Sequence, residues 1–169
     1  NDYGICKLAQ TNYVSSWVSS GGRAMVVRPF TILGRNMPKT MAIGSFANQL
    51  KNISQNGSQG VLHTGDLNIS RDFVDVSDVV SICWDLIKID DANGEVVNIC
   101  SGKALELKKI LDYMIQLTGL DISLEIDKNR LRTIDIESHY GDNRKLLKLL
   151  DGYEFIDWQT SVKKMIGKI

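Results

Sequence analysis

Apolar positions along the chain alternate between helical and strand spacing. Residues 3–20 repeat apolar side chains at helical intervals, and the pair Gly21-Gly22 ends this predicted helix. The run RAMVVRPF is apolar and β-branched, so it predicts a buried strand that ends at Pro29 and is followed by a loop. The same reasoning predicts further strands at GVLHTG, DFVDV, EVVNIC and ISLEI, and further helices at GSFANQLKNI, after Asp75, over residues 107–117, at NRKLLKLL and at WQTSVKKMIGKI. This alternation favours an α/β fold with a partly parallel sheet.

Two of these helices carry clear positional signals. The helix after Asp75 has one apolar stripe, which we expect to face the core. The members of this stripe are Val76, Val79, Val80, Cys83 and Ile87. The helix over residues 107–117 is also amphipathic, and Gly119 stands where a glycine commonly ends a helix.

Length, composition and charge narrow the class of protein. The 169 residues are enough for one domain with a core, and 43% hydrophobic with 24% charged residues is ordinary for a soluble protein. Lys+Arg and Asp+Glu both number 20, so we expect no nucleic-acid partner. No apolar run approaches the ~20 residues of a membrane span, and no signal peptide is visible. We therefore expect a cytoplasmic protein that does not bind membranes.

Cysteines and histidines give no metal or disulfide pattern. Cys6, Cys83 and Cys100 are odd in number and lack CxxC spacing, so we expect buried, reduced thiols. His63 and His139 are far apart and have no partner at ligand spacing. We interpret both histidines as structural or surface residues and predict no metal site.

Tyr3 and Lys7 stand one helical turn apart and share a helix face. A tyrosine with an ordinary pKa near ~10 exchanges protons poorly at neutral pH, and a neighbouring ammonium group lowers that pKa. Tyr3 could then act as a general acid or base on a hydroxyl or carbonyl group. Taken alone, the pair is a weak signal, because any helix can show this spacing by chance, and a surface tyrosine with a solvated lysine is then the favoured interpretation.

A succession of sequence blocks places this pair in a wider pattern. YGICKLAQ is followed by VVRPFTILGRN, GDLNISRDFVDVSDVV, GEVVNICSG and RLRTIDI…GDNRKL. In this order the blocks resemble the second half of the extended short-chain dehydrogenase/reductase family, the NAD(P)-dependent sugar-nucleotide epimerases, dehydratases and reductases. The resemblance extends over nearly all of the chain. Within the family, the blocks are most similar to reductases of GDP-linked 4-keto-6-deoxy sugars.

The resemblance implies roles for individual residues. Tyr3 and Lys7 match the catalytic pair of the family, and the resemblance implies that both also contact the cofactor. The other matching residues fall into a cofactor set and a substrate set. The resemblance places Arg28, Pro29 and Phe30 beside the nicotinamide of NAD or NADP. It implies that the nucleotide sugar contacts Thr31, Arg71, Arg132, Thr133, Ile134 and Asp135. Guanidinium groups suit phosphates because they can donate two parallel hydrogen bonds. The alternative for the arginines is a surface or interdomain ion pair with Asp72 or Asp135.

The chain departs from the family pattern at several positions. Thr31 replaces an asparagine after RPF, so the sugar contact there is in question. Thr133 replaces a proline, and no basic residue stands near Asn48. Leu105 stands near the place of a serine or threonine cap, so we expect a weaker cap on the helix that follows.

The glycine-rich dinucleotide-binding turn of the family has no match. Gly21-Gly22 leads into a strand, while Gly57 and Gly60 are too sparse and have no helix behind them. We therefore expect the C-terminal part of a Rossmann-type fold without its glycine-rich N-terminal half. Residues 1–35 would end the Rossmann-type domain and residues 36–169 would form mainly the substrate-binding portion, with 73–100 returning to the Rossmann sheet.

The resemblance implies an NAD(P)-dependent oxidoreductase that reduces the 4-keto group of a GDP-4-keto-6-deoxy-hexose, present as a fragment inactive alone. A 4,6-dehydratase or 4-epimerase of the same family, and a non-catalytic nucleotide-sugar-binding or oligomerisation module, are the alternatives. The resemblance also implies a homodimer. Tyr13 and Trp17 are candidate interface residues, and the alternative is that they belong to the core.

Overall fold

The computed structural model describes residues 1–131 and 136–167 of the chain. Within these residues the chain forms six α-helices and nine β-strands. The helices are α1 (Asp2–Ser19), α2 (Ala42–Asn56), α3 (Val76–Leu86), α4 (Leu107–Thr118), α5 (Arg144–Leu149) and α6 (Trp158–Ile166). The strands are β1 (Val26–Pro29), β2 (Thr31–Leu33), β3 (Gln59–Thr64), β4 (Ser70–Arg71), β5 (Phe73–Asp75), β6 (Val96–Ile99), β7 (Leu105–Glu106), β8 (Asp121–Ile126) and β9 (Ser138–His139). The predicted α/β class is confirmed.

Most strand pairs are parallel, as predicted from the alternating pattern. β1 pairs with β6, β2 with β5, and β3 with β8, all in parallel register. A fourth sheet has three strands and joins β4 to β9 in parallel and to β7 in antiparallel orientation. Parallel strands run in the same direction, so β1 ends beside β6 and β2 ends beside β5.

The predicted loop after Pro29 was wrong. Phe30 donates its N–H to Ile99 at 3.0 Å, and the chain then continues directly into β2. Thr31 and Ile32 are β-branched and pair in register with Phe73 and Val74 of β5. The chain therefore stays extended beyond the proline, and its pairing changes from β6 to β5.

Two apolar clusters form the core. The larger one joins α2, α4 and α6 around Leu50, Ile110 and Met114, all fully buried. The smaller one packs α3 and α5 on β6, around Ile82 and Val97. The chain segment from β1 through β2 runs between the two clusters, because Val27 packs on the smaller and Leu33 belongs to the larger.

α3 buries a different face from the one predicted. Its buried residues are Asp78, Ile82 and Leu86, spaced four apart. The predicted stripe is divided, since Val79 and Cys83 pack on the core while Val76, Val80 and Ile87 are exposed. The helix is apolar around most of its circumference, so periodicity alone could not select the buried side.

α1 has no buried residue within the described part of the chain, although its sequence is apolar. Tyr13 is 75% exposed and Trp17 is 56% exposed, so neither belongs to the core. The expectation of buried thiols was wrong for Cys6, which is exposed on this helix, and correct for Cys100. Cys83 is partly buried, and all three thiols are free. No helix in residues 1–131 and 136–167 combines the length and hydrophobicity that a membrane span requires.

Helix ends follow the sequence signals closely. Asp75 caps α3 by accepting from the Ser77 N–H at 2.7 Å, and Gly119 ends α4 with a left-handed φ of 66°. No side chain caps the N-terminus of α4, in line with the weak cap predicted near Leu105. The N–H groups of Leu107 and Lys108 instead donate to the carbonyl oxygens of Ile69 and Leu67.

Buried carboxylates of α3 attach the C-terminal segment to the rest of the fold. Asp75 accepts from the Ser161 hydroxyl on α6 at 2.7 Å. Asp78 accepts from the Tyr153 hydroxyl and from the Ile156 N–H, each at 2.9 Å. Burial acts to raise the pKa of Asp75, but hydrogen bonds from Ser161 and Ser77 outweigh it, and its pKa lies below the ordinary value. Burial raises the pKa of Asp78, which has fewer compensating donors.

Replacing Asp75 with asparagine keeps a capping oxygen but removes the charge that these donors stabilise. The pKa of Asp75 is lower in the folded chain than in the unfolded chain. The Asp75 charge therefore stabilises the fold fully at pH values above the unfolded pKa. This stabilisation is lost as the pH falls through the folded pKa. We expect Asp75→Asn to lower the free energy of unfolding by about 1 kcal/mol at pH 7, and by less at pH 3. Urea denaturation at both pH values measures this.

Asp112→Asn is the matched control, because Asp112 forms an exposed ion pair with Lys108 on α4. We expect this control to change stability by less than about 0.5 kcal/mol at pH 7. A deficit for Asp75→Asn that is the same at pH 7 and pH 3 would contradict the electrostatic interpretation.

Candidate active site

Two adjoining cavities lie beside Thr31, the first residue of β2, which lines both. The first has a volume of about 770 Å³ and lies over the end of β1. It is lined by Arg28, Pro29, Phe30, Thr31, Ile32, Gly34, Arg35, Asn36, Met37, Pro38, Met41, Val76, Asn98 and His139. Three residues that the sequence assigned to the nicotinamide, Arg28, Pro29 and Phe30, therefore lie together in its wall.

The second cavity, of about 640 Å³, lies between α2 and the β4–β5 segment. Its charged lining residues are Lys39, Arg71, Arg130 and Asp66, a cationic excess. Arg71 was predicted from the sequence to contact a nucleotide-sugar diphosphate. The charge of this cavity suits an anionic ligand such as a diphosphate.

Three side chains line both cavities: Thr31, Met37 and Met41. Thr31 begins β2, so the sheet fixes its position. Met37 and Met41 belong to the loop between β2 and α2. We call these three residues the junction, because a ligand that extends from one cavity to the other must pass them.

An aromatic wall borders the first cavity. The Phe30 and His139 rings stack with centroids 5.1 Å apart and an interplanar angle of 17°. Gly141 follows closely, and a Cβ there would collide with the Phe30 ring and the Cys100 sulfur. The segment after β9 is therefore pressed against Phe30. His139, which the sequence indicated only as a structural or surface residue, lies at the site.

Asp72 holds this wall in place. Its carboxylate is fully buried and accepts from the Ser101 N–H at 2.8 Å, the Ser101 hydroxyl at 2.7 Å, the Gly102 N–H at 2.9 Å and the Gly141 N–H at 3.2 Å. Its backbone N–H donates to His139 and its carbonyl accepts from Thr31. One residue thus joins β2, β9 and the loop after β6. Asp72 was considered from the sequence only as an ion-pair partner for an arginine.

The cationic side of the second cavity is built on backbone and side-chain oxygens. Arg71 donates to the carbonyl oxygens of Ser70 at 2.8 Å and Ile136 at 2.7 Å. Arg130 donates to the Ser45 hydroxyl at 2.8 Å and to Asp127 at 3.2 Å. The sequence reasoning missed Arg130, which stands two positions before the predicted Arg132 in the sequence.

Tyr3 and Lys7 lie on one face of α1, as their spacing predicts. The Lys7 ammonium lies 5.6 Å from the centroid of the Tyr3 ring and donates to Gln10 at 3.2 Å. Tyr3 is 73% exposed, and neither residue lines the two cavities as described. Arg28 links the cavity to this helix by donating to the Thr11 hydroxyl at 3.2 Å.

Four predicted substrate residues, Arg132, Thr133, Ile134 and Asp135, lie outside the described residues. Their neighbours Arg130 and Leu131 line the second cavity, and Ile136 accepts a hydrogen bond from Arg71. Among residues 1–131 and 136–167, no group of three His, Cys, Asp or Glu side chains could hold a metal ion.

Comparisons with known proteins agree with the predicted family. Residues 1–100 match the NAD dependent epimerase/dehydratase family. The chain is similar to the GDP-6-deoxy-D-mannose reductase of Pseudomonas aeruginosa, with 29% identity over 147 residues that cover 86% of this chain and 48% of that protein. It is also similar to the GDP-6-deoxy-D-talose 4-dehydrogenase of Aggregatibacter actinomycetemcomitans, with 27% identity covering 100% of this chain and 54% of that protein.

A solved structure gives the same result. The structure of RMD from Pseudomonas aeruginosa complexed with NADPH superposes with a TM-score of 0.88 and 25% identity, covering 98% of this chain and 55% of that one. The predicted Rossmann-type α/β fold is thereby confirmed. The chain spans about half the length of the curated relatives it matches.

The buried position of Asp72 makes a testable prediction. In Asp72→Asn the amide nitrogen would face an N–H group of Gly102 or Gly141, so at least one buried donor would lose its acceptor. We expect the free energy of unfolding to fall by about 2–3 kcal/mol, measured by urea denaturation.

The control is Asp66→Asn, since Asp66 is exposed and accepts a local hydrogen bond from the Asn68 N–H. We expect a change below about 0.5 kcal/mol for this variant. Equal stability losses in the two variants would show that Asp72 does not organise the wall.

Proposed function

Because this chain belongs to the NAD dependent epimerase/dehydratase family, we propose that it forms the sugar-nucleotide side of an NAD(P)-dependent oxidoreductase. Its substrate is a GDP-linked 4-keto-6-deoxy hexose, whose 4-keto group is reduced. The observation that carries this proposal is the pair of cavities joined at Thr31, Met37 and Met41. One cavity has an aromatic wall and the other a cationic wall, which matches a nicotinamide and a diphosphate with a sugar between them.

The residues of the first cavity fit a nicotinamide. The stacked rings of Phe30 and His139 present a flat aromatic surface, and Arg28 and Asn98 supply polar groups beside it. Pro29 and Phe30 come directly after β1, so the sheet positions them. Bound NAD(P)H would supply a hydride to the sugar carbon that carries the keto group.

Tyr3 would deliver the proton that completes the reduction. As hydride adds to C4, negative charge develops on the C4 oxygen, and the Tyr3 hydroxyl would donate its proton there. The Lys7 ammonium, one turn away, would stabilise the phenolate that remains, until a proton from solvent restores it. In the same arrangement Lys7 would also donate to ribose hydroxyls of the cofactor.

The second cavity would hold the nucleotide diphosphate. Lys39, Arg71 and Arg130 line it, and their charges complement two phosphate groups. Arg132 and Asp135, with Thr133 and Ile134, are proposed to close on the nucleotide end, as the family resemblance implies. Similarity to GDP-sugar enzymes from two organisms supports guanine as the base.

Two alternatives to the reductase are considered. A 4-epimerase or 4,6-dehydratase would use the same family framework, because fold alone does not fix the reaction. A nucleotide-sugar-binding module without catalysis is favoured by one observation: Tyr3 and Lys7 do not line the described cavities. We favour the reductase because the curated relatives include a reductase and a 4-dehydrogenase that are named for GDP-6-deoxy sugars.

We also propose a homodimer in which a second copy covers α1. Tyr13 and Trp17 lie one turn apart and are exposed, and large aromatic residues are common interface anchors. An 18-residue helix without a buried residue gains little stability from the described part of the chain, which supports a covering partner.

Arg71 provides a direct test of the nucleotide site. We expect the chain to bind GDP with a micromolar Kd by calorimetry, and Arg71→Met to weaken binding at least tenfold, because a charge-assisted contact contributes about 1.5–3 kcal/mol. Arg71→Lys should recover part of the affinity, since it keeps the charge but not the forked geometry.

Arg23→Met is the control, because Arg23 forms an exposed ion pair with Asp90 and lines neither cavity. Equal GDP affinity in Arg71→Met and Arg23→Met would exclude Arg71 from the site.

Turnover tests the expected inactivity of the fragment. We expect the 169-residue chain alone to leave NADPH absorbance unchanged with GDP-4-keto-6-deoxymannose, because it contains no glycine-rich dinucleotide turn. Clear NADPH oxidation would contradict the expected inactivity of the fragment.

A further inference from the structure

Met41 occupies a position that helix energetics disfavours. It is the N-cap residue of α2 and makes no side-chain capping hydrogen bond. Serine, threonine, aspartate or asparagine at an N-cap would satisfy a free N–H group, and methionine cannot. The side chain is nonetheless 43% exposed, so burial in the core does not compensate for the missing cap. Met41 therefore presents an exposed apolar surface at a position where a polar residue would stabilise the helix more.

The loop that carries Met37 and Met41 is fixed at several points. A Cβ on Gly44 would collide with the backbone oxygens of Met37 and Pro38, so the glycine lets this loop lie directly on the first turn of α2. Met41 donates its N–H to the Pro38 oxygen at 2.9 Å. Arg35 donates to the Lys164 oxygen at 2.7 Å, which ties the loop to α6. The backbone that carries both methionines is therefore fixed beside the two cavities.

The chemistry of the junction restricts what part of a sugar can face it. Thr31 offers one hydroxyl, while Met37 and Met41 offer only thioether surface, which is apolar and polarisable. A hexose presents hydroxyl or keto groups around most of its ring. A 6-deoxy hexose has one fully apolar group, the C6 methyl. A C6 hydroxyl against these thioethers would lose its hydrogen bonds to water without replacement.

We propose that Met37 and Met41 form the contact surface for the C6 methyl group and determine the preference for 6-deoxy sugars over 6-hydroxy sugars. This inference rests on the proposed function, because it requires the hexose to lie at the junction. It adds the specificity-determining residues, which neither the sequence pattern nor the similarity to relatives assigns. Met37 packs against the larger core cluster and forms the fixed part of the surface, while the more exposed Met41 closes it.

The test compares GDP-6-deoxy-D-mannose with GDP-D-mannose, which differ by one oxygen atom at C6, and uses GDP as the reference ligand. Calorimetry on the unaltered chain should give about tenfold tighter binding of the 6-deoxy sugar. Met41→Ser should reduce this preference to about twofold or less. The readout is the ratio of the two sugar affinities, because Met41 also lines the second cavity and its replacement can change the Kd for GDP itself. Met41→Leu should keep the preference, because it retains an apolar surface of similar size.

Stability provides an independent readout. Met41→Ser introduces a good N-cap residue, so its Tm should equal or exceed that of the unaltered chain. A loss of sugar preference in this variant therefore could not be attributed to unfolding. Val80→Ser is the control, since Val80 is exposed on α3 and lines neither cavity; it should leave the preference unchanged.

The outcomes separate the inference from the proposed function. If GDP binds but the two sugars bind equally well, or if Met41→Ser keeps the full preference, the role of the methionines is overturned and the nucleotide site stands. If GDP itself does not bind, the proposed function fails and the inference fails with it.

Discussion

The buried carboxylate of Asp72 is the interaction on which the site depends. It lies between β4 and β5 and collects two donors from Ser101 and one each from Gly102 and Gly141. A buried charge is costly unless donors surround it, so these separate segments must converge for the chain to fold. The same residue binds Thr31 and His139 through its backbone. The hydrogen-bonded carboxylate of Asp72 therefore helps to position both the aromatic wall and Thr31 of the junction.

From this point the two cavities acquire different chemistry for structural reasons. The first lies where β1 and β6 end, and the segment that Asp72 holds presses against Phe30 there. The second lies beside α2, where Arg71 and Arg130 are held by oxygens of Ser70, Ile136 and Ser45. Because β2 runs on directly from β1, Thr31 lies between them. An extended ligand with an aromatic neighbour at one end and phosphates at the other fits this order.

Sequence reasoning succeeded where a single local signal decides the structure. The Asp75 cap and the Gly119 terminus are such signals. The RPF and SRDF blocks indicated Phe30 and Arg71, which line the two cavities, and the roles of these two residues stay predictions. It failed where the outcome depends on contacts distant in sequence. Pro29 suggested a loop, but pairing of Thr31 with Phe73 continues the strand. The stripe on α3 divided between core and surface because both faces are apolar, and His139 became important only through stacking on Phe30.

The most direct test of the account is a crystal structure of this chain with GDP-6-deoxy-D-mannose. We predict that the diphosphate lies within hydrogen-bond distance of Arg71 in the second cavity, and that the hexose lies at the junction with its C6 methyl on Met37 and Met41. A sugar nucleotide bound away from these cavities, or one whose hexose points to solvent with the junction empty, would contradict the central claim.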